Sequence, residues 1–354
     1  MSKLSSATKR ALGYVIPHRA YQYLGRNKES IKKALRLHRA NKEDNSQSSD
    51  QAASSIGGFW SDHYQRPEEA PTAWWHNERV IRHINKSVDK VDSPIVSEGL
   101  NQLLIKRLSG RQLKLGVSVG CGLAQKEMRI LQLGIVEKFI LFELSEEAAR
   151  IATKKAQELH LEDRIEFHIG DAFEYDFSNV CVDFVHWNNS LHHMFDVMAA
   201  IKWSYDLLEP NGVLYLDEYV GPSRFQYSDE VLQLVNDIRD DLPHKYLRIS
   251  SESDAYYGRI PRLDLSFFEM EGEDPSEAVD SERILESIKE VFPHAEIIPT
   301  GGVVYFLALS GILNNFLEED ESSISILNRL LNLDRDYAQS NDGVTLYAVA
   351  LAFK

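Results

Sequence analysis

Cysteine is nearly absent from this chain, and long apolar runs are missing altogether. The 354 residues hold two cysteines, Cys121 and Cys181. Two cannot build a disulfide framework or a zinc-finger set. Both fall in apolar, strand-like stretches, where a free thiol packs as a small hydrophobe. A reducing cytoplasm is the expected setting. No run of about 18 or more apolar residues occurs, so no transmembrane helix is predicted. The start is basic but lacks an apolar stretch followed by a small-residue cleavage site, which argues against a secretory signal. Excess positive charge is missing too. The net charge of −15 excludes a nucleic-acid binder that relies on broad phosphate neutralisation.

What is present suits a soluble globular protein. Hydrophobic residues make up 43% and charged residues 26%, enough apolar material for a sizeable core. Charge is unevenly spread. Residues 1–42 hold eleven Lys/Arg and one acid, Glu29, which makes about +10 and leaves about −25 for the rest. This reads as a basic arm on an acidic body. Within the arm, 27–43 is a basic helix pattern. It would meet an anionic membrane surface weakly, or simply stay solvated. Residues 44–58 are a polar, low-complexity linker. The expected organisation is therefore an arm and linker over 1–58, a helical cap over 59–110 and the main domain over 111–354. The cap carries Trp60, Trp74 and Trp75, with a helix opened by Pro71 and a second over 94–108.

From Lys114 the pattern alternates strand and helix. Strands are expected at Leu115–Val119, Lys138–Glu143, Arg164–Ile169, Val182–Trp187 and Gly212–Glu218. Helices are expected at Ala124–Leu133, Glu146–His160 and Val197–Leu208 between them. Such spacing predicts βαβ units in a mostly parallel sheet with helices on both faces. Further elements follow: a helix at 279–291, a strand at 295–299, helices at 303–316 and 322–335, and a last strand at Val344–Phe353. The stretch 220–275 breaks the alternation after strand five. It reads as an insertion that caps the active-site face.

Four signals fall at successive strand ends. Val119-Gly120-Cys121-Gly122 joins a strand to a helix through glycines, which allow a sharp turn and close approach of a ligand. Glu143 ends the next strand, placed to accept from both ribose hydroxyls of a nucleoside. Leu144 follows it, then Ser145 as an N-cap. Asp171-Ala172 follows the third strand, where Asp171 can accept from an adenine amino group. Asn188 to His193 follows the fourth. In an open parallel sheet these ends meet at one crevice.

Together these residues resemble the class I S-adenosylmethionine-dependent methyltransferases, strongly over 114–219. The resemblance implies a Rossmann-like, seven-stranded fold and S-adenosyl-L-methionine as cofactor. It assigns Val119 to Gly122 to the cofactor loop, Glu143 to ribose, Asp171 and Ala172 to adenine, and Asn188 to His193 to the methyl-donor pocket. Two positions depart from that pattern. Ser118 stands where an acid is usual, with Glu127 as its substitute near the amino group. Ala124 stands where a third glycine is common. A dehydrogenase would want Gly-x-Gly-x-x-Gly, and Gln125 occupies that last place. The flanking Trp74-Trp75-His76, Glu218–Gln226 and Gly301-Gly302 segments resemble a bacterial subgroup tied to polysaccharide and glycan assembly. They point to a sugar acceptor.

Methyl transfer to a hydroxyl needs a base, and His192, His193 and Glu218 are the candidates. Trp74, Trp75, Tyr219 and Arg224 are candidates for holding the acceptor, Arg224 through an anionic group. No metal set is expected, since Asp217 and Glu218 alone are too few. Expected partners are a small-molecule or saccharide acceptor and a second copy of the chain, not nucleic acid. Two alternatives remain open: an N- or C-methyltransferase, and a non-catalytic nucleoside-binding module.

Overall fold

The structure, a computed structural model, describes residues 73–249, 255–269, 274–341 and 343–354. The basic arm, its helix at 27–43, the linker, Trp60 and Pro71 lie outside the described residues.

Seven strands form one sheet in the order β3-β2-β1-β4-β5-β7-β6. They are β1 Leu113–Val119, β2 Val136–Glu143, β3 Ile165–Ile169, β4 Val182–Asn188, β5 Leu208–Tyr219, β6 Glu296–Gly301 and β7 Tyr347–Phe353. The first five pair in parallel, as the βαβ pattern predicts. The last strand, β7, inserts antiparallel between β5 and β6. The chain order reverses beside β1, between β1 and β4. In open α/β sheets ligands bind outside the carboxyl ends of the strands at such a point.

Local chemistry sets where the helices start. α1 (Glu78–Asp89) is capped by Asn77, whose side chain accepts from the Arg79 and Val80 amides. α2 (Glu98–Leu108) packs on it through Asn85, whose amide oxygen accepts from the Gly99 N–H at 2.8 Å. A Cβ on Gly99 would lie 2.7 Å from the Asn85 carbonyl oxygen, so only glycine permits that crossing. α3 (Gln125–Gln132) follows β1, and α4 (Glu146–Glu158) follows β2, capped by Ser145 as expected. α5 (Val197–Leu207) starts on Asp196, and α6 (Asp229–Asp241) on Ser228. α7 (Ile284–Val291) and α8 (Glu321–Ala338) complete the set. The α8 helix is capped by Asp320. No helix among the described residues is long and apolar enough to cross a membrane.

The sheet buries both faces. α2, α3 and α4 cover one, around Phe139, Phe184 and Tyr215. α5 and α7 cover the other, around Val185, Trp187 and Leu216. A third core joins the 220–275 segment to the stretch after β6. Phe225, Tyr227 and Val235 pack there against Val303, Tyr305 and Leu327. The described part of that segment thus packs as half of a helical layer. The expected helix at 303–316 is instead a π-helical turn, Val303–Ala308, and a short 3-10 turn, Leu313–Asn315. Asp334 of α8 shapes this start. Its two oxygens accept from the Gly302 and Val304 amides, both at 2.7 Å.

Candidate active site

The turn after β1 is stitched to the end of β2. The Gly120 and Cys121 amides donate to the Phe142 carbonyl at 2.9 and 3.2 Å. Gly120 has φ 65° and Gly122 φ 54°. A Cβ on Gly120 would also lie 2.8 Å from the Ser190 Cβ, because the turn after β4 presses against it. Ala124, which replaces a third glycine, still takes the left-handed conformation, at φ 51°. An L-residue pays about 1–2 kcal/mol for this.

Glu143 ends β2 with 7% exposure. Its Oε2 accepts from the Gly122 N–H at 2.7 Å, and its Oε1 accepts from the Leu144 and Ser145 amides at 2.9 Å each. Burial raises its pKa, against the pull of these amides. With about four lone-pair sites on a carboxylate, the three amides leave Oε2 a free acceptor site. Asp171 Oδ1 accepts from the Phe173 amide at 2.9 Å, and Ala172 behind it is buried. Val119 is buried in the same floor, and Leu144 is half-buried at the turn.

The expected acid near the cofactor amino group turns inward. Glu127 is 3% exposed. Its Oε1 accepts from the Ser118 hydroxyl at 2.7 Å and lies 2.9 Å from His186 Nδ1. Burial would raise Glu127, but His186 and Ser118 outweigh it and hold its pKa low. Beside it stands a cation that the motif reading passed over. Lys126, in the first turn of α3, donates from Nζ to Asn188 Oδ1 at the end of β4. Burial lowers the Lys126 pKa, opposed by Asp217, Glu127 and Glu218. Asn188 Nδ2 is buried without a partner.

The acceptor side is built around Glu218, which is fully buried at the end of β5. Its Oε1 accepts from the Ser190 and Leu191 amides, the second at 2.7 Å. Its Oε2 lies 2.6 Å from His192 Nδ1. Burial pushes Glu218 up, but His192 and the two amides hold it below its ordinary pKa. Glu218 therefore orients His192. His192 Nε2 faces Glu277 Oε1 at 3.5 Å. His193 Nδ1 lies 3.0 Å from Ser276 Oγ and 3.4 Å from Asp274 Oδ2. Burial raises Glu277 to about 7.

Three expected acceptor residues are otherwise engaged. Tyr219 is 2% exposed, and its hydroxyl donates to the Pro222 carbonyl at 3.2 Å. Arg224 donates to the carbonyls of Glu277 and Pro275 at 2.9 and 2.7 Å and lies over the Phe268 ring. Its guanidinium braces a loop and is not held out for an anion. Trp74 is core, packed on Tyr305 and Tyr347, while Trp75 meets it edge-on and stays partly exposed. Cys121 is half-buried and Cys181 is exposed, so only the first packs as foreseen.

One grouping of side chains was not foreseen from the sequence. Among the described residues His192, His193 and Glu277 offer ligand atoms within 4.8 Å of one another. Asp274, Ser276 and Glu277 were not foreseen here. They lie at the far end of the inserted segment, and the Val279 amide ties that end back to the His192 carbonyl at 3.2 Å. No local pattern announces such a return.

Residues 117–289 match a family model described as a methyltransferase domain. No curated protein matches the chain. Solved structures that resemble it include the cyclase SpnF, at 16% identity over 86% of this chain and 94% of that one, with a TM-score of 0.44. Geranyl diphosphate C-methyltransferase from Streptomyces coelicolor A3(2) is 12% identical, covers 85% and 97%, and has a TM-score of 0.45. A putative sarcosine dimethylglycine methyltransferase from Galdieria sulphuraria is 13% identical, covers 72% and 85%, and has a TM-score of 0.41. The domain match begins within β1 and ends within α7, so this part of the sheet and its helices is similar to a methyltransferase domain.

Proposed function

We propose that the protein transfers the methyl group of S-adenosylmethionine to a hydroxyl of a small molecule, with His192 as the base. The observation that carries this reading is the His192–Glu218 pair, a buried carboxylate 2.6 Å from the Nδ1 of an imidazole at the carboxyl end of the sheet. A carboxylate on Nδ1 fixes the tautomer and leaves Nε2 to accept a proton. Nε2 takes the acceptor's proton as the oxygen lone pair attacks the methyl carbon. The carbon–sulfur electron pair leaves with sulfur as S-adenosylhomocysteine. Glu218 stabilises the imidazolium that results. A sugar is the preferred acceptor on the sequence resemblance of the flanking segments.

The cofactor would lie over the turn after β1. Glu143 Oε2 has one acceptor site left for a ribose hydroxyl, and Asp171 Oδ2 suits the adenine amino group. Lys126, held by Asn188, is the cation proposed to meet the methionine carboxylate.

Calorimetric titration with S-adenosylhomocysteine tests the cofactor half. Micromolar affinity, weakened tenfold or more (about 1.4 kcal/mol) by Glu143→Ala or Asp171→Ala, supports it. No binding by a folded wild type overturns it. Transfer of labelled methyl to panels of monosaccharides and amines tests the acceptor half. Methylated amines without any methylated hydroxyl would refute the oxygen reading.

A further inference from the structure

We propose that His192, His193 and Glu277 form a binding site for one divalent transition-metal ion. Ligand atoms on an ion at about 2.0–2.2 Å stand roughly 3.5 Å apart in a tetrahedral set. His192 Nε2 and Glu277 Oε1 are 3.5 Å apart, and one atom of His193 lies within 4.8 Å of both.

The surroundings are those of a metal site. A ligating histidine usually gives its other ring nitrogen to a carboxylate or a comparable acceptor, which fixes the ring. Glu218 does this for His192 at 2.6 Å, and is itself fixed by two amides. Ser276 and Asp274 approach His193 Nδ1 at 3.0 and 3.4 Å. Three carboxylates, Glu218, Glu277 and Asp274, converge on two imidazoles. The neighbouring cation, Arg224, spends its guanidinium on two backbone carbonyls. A divalent ion would balance this negative surplus. Two imidazoles and one carboxylate suit zinc, cobalt, manganese or iron, not magnesium or calcium, which prefer oxygen ligands.

Three protein ligands leave room for an acceptor oxygen. This role for the ion rests on the acceptor reading above, but its binding does not. His192 Nε2 is the base of the metal-free protein; a bound ion would occupy that nitrogen and take over activation of the hydroxyl. Held by His192, His193 and Glu277, such an ion would supply Lewis acidity that lowers the pKa of an acceptor hydroxyl at the open position.

The test titrates the full chain with Zn2+ and, separately, with Co2+, following heat and the visible absorption of cobalt. One equivalent should bind. Glu277→Gln and His193→Ala should each weaken binding tenfold or more and shift the cobalt spectrum. His160→Asn, at an exposed histidine just after α4, should change neither. Circular dichroism checks that each variant folds, and Glu277→Gln keeps the side-chain shape. Failure to bind a stoichiometric ion, or binding that survives both substitutions, overturns the proposal while leaving S-adenosylhomocysteine affinity and methyl transfer untouched. Tight binding without methylation of any hydroxyl would leave the site standing and remove its role in the acceptor reading.

Discussion

The turn after β1 and the turn after β4 face each other so closely that a Cβ on Gly120 would sit 2.8 Å from Ser190. They are built from different materials. The first is backbone. Its glycines, the Phe142 carbonyl and the three amides on Glu143 all come from one strand–turn–helix–strand unit. The second is side chains gathered from afar: His192 after β4, Glu218 at the end of β5 and Glu277 beyond the inserted segment. A ligand common to many proteins can be held by geometry that short motifs encode. An acceptor particular to one protein is met by groups that only the finished fold brings together.

The sharpest test of this division is His192→Ala. Loss of a general base or of a metal ligand should lower kcat by about 10²–10⁴. Affinity for S-adenosylhomocysteine, measured by calorimetry, should stay within a factor of two or so of wild type. A parallel loss of cofactor affinity would show that the two halves are one unit.

Gly120→Ala is designed to break the division. At φ 65° an alanine costs about 1–2 kcal/mol, and its Cβ would push on Ser190, whose amide holds Glu218. The variant should lose roughly tenfold in cofactor affinity and also in turnover at saturating cofactor. A loss confined to the cofactor would mean that the turn after β4 absorbs the methyl group.

Away from both halves, Asp334 supplies a smaller, pH-dependent effect. Burial raises its pKa from 3.8 to about 7. The fold therefore binds a proton there more tightly than the unfolded chain does. The stability this contributes is present below pH 3.8 and is lost as pH rises through about 7. Asp334→Asn does not titrate, so the stability difference from wild type should shift over that window in urea melts, with turnover little changed. A difference that is constant with pH would refute it. Asn keeps one acceptor for the Gly302 and Val304 amides and turns a donor toward the other, at about 1–3 kcal/mol.

The boundaries of β1 to β5 and of α3 to α5 were legible from the sequence within a few residues, because alternation, glycine turns and caps such as Ser145 act over short range. The placement of Glu143 and Asp171 at strand ends was legible for the same reason, since each follows directly from the strand that carries it. The contact of Glu127 with His186 was not legible, because His186 sits on β4 and only the pairing of β1 with β4 sets the two side by side. The contacts of Tyr219 and Arg224 with nearby carbonyls were not legible, because aromatic and basic residues after a strand look alike whether they face a ligand or a packed loop.

The amino-acid pattern by itself determined the βαβ order, the glycine turn and the presence of acids and histidines at consecutive strand ends, since each depends on neighbours in the chain. Tertiary structure alone decided that Glu218 would hold His192, that residues 274–277 would return to meet both histidines, and that Lys126 would reach across to Asn188. Those contacts join segments dozens of residues apart, and their energies exist only after the sheet and its helical layer have closed the distance.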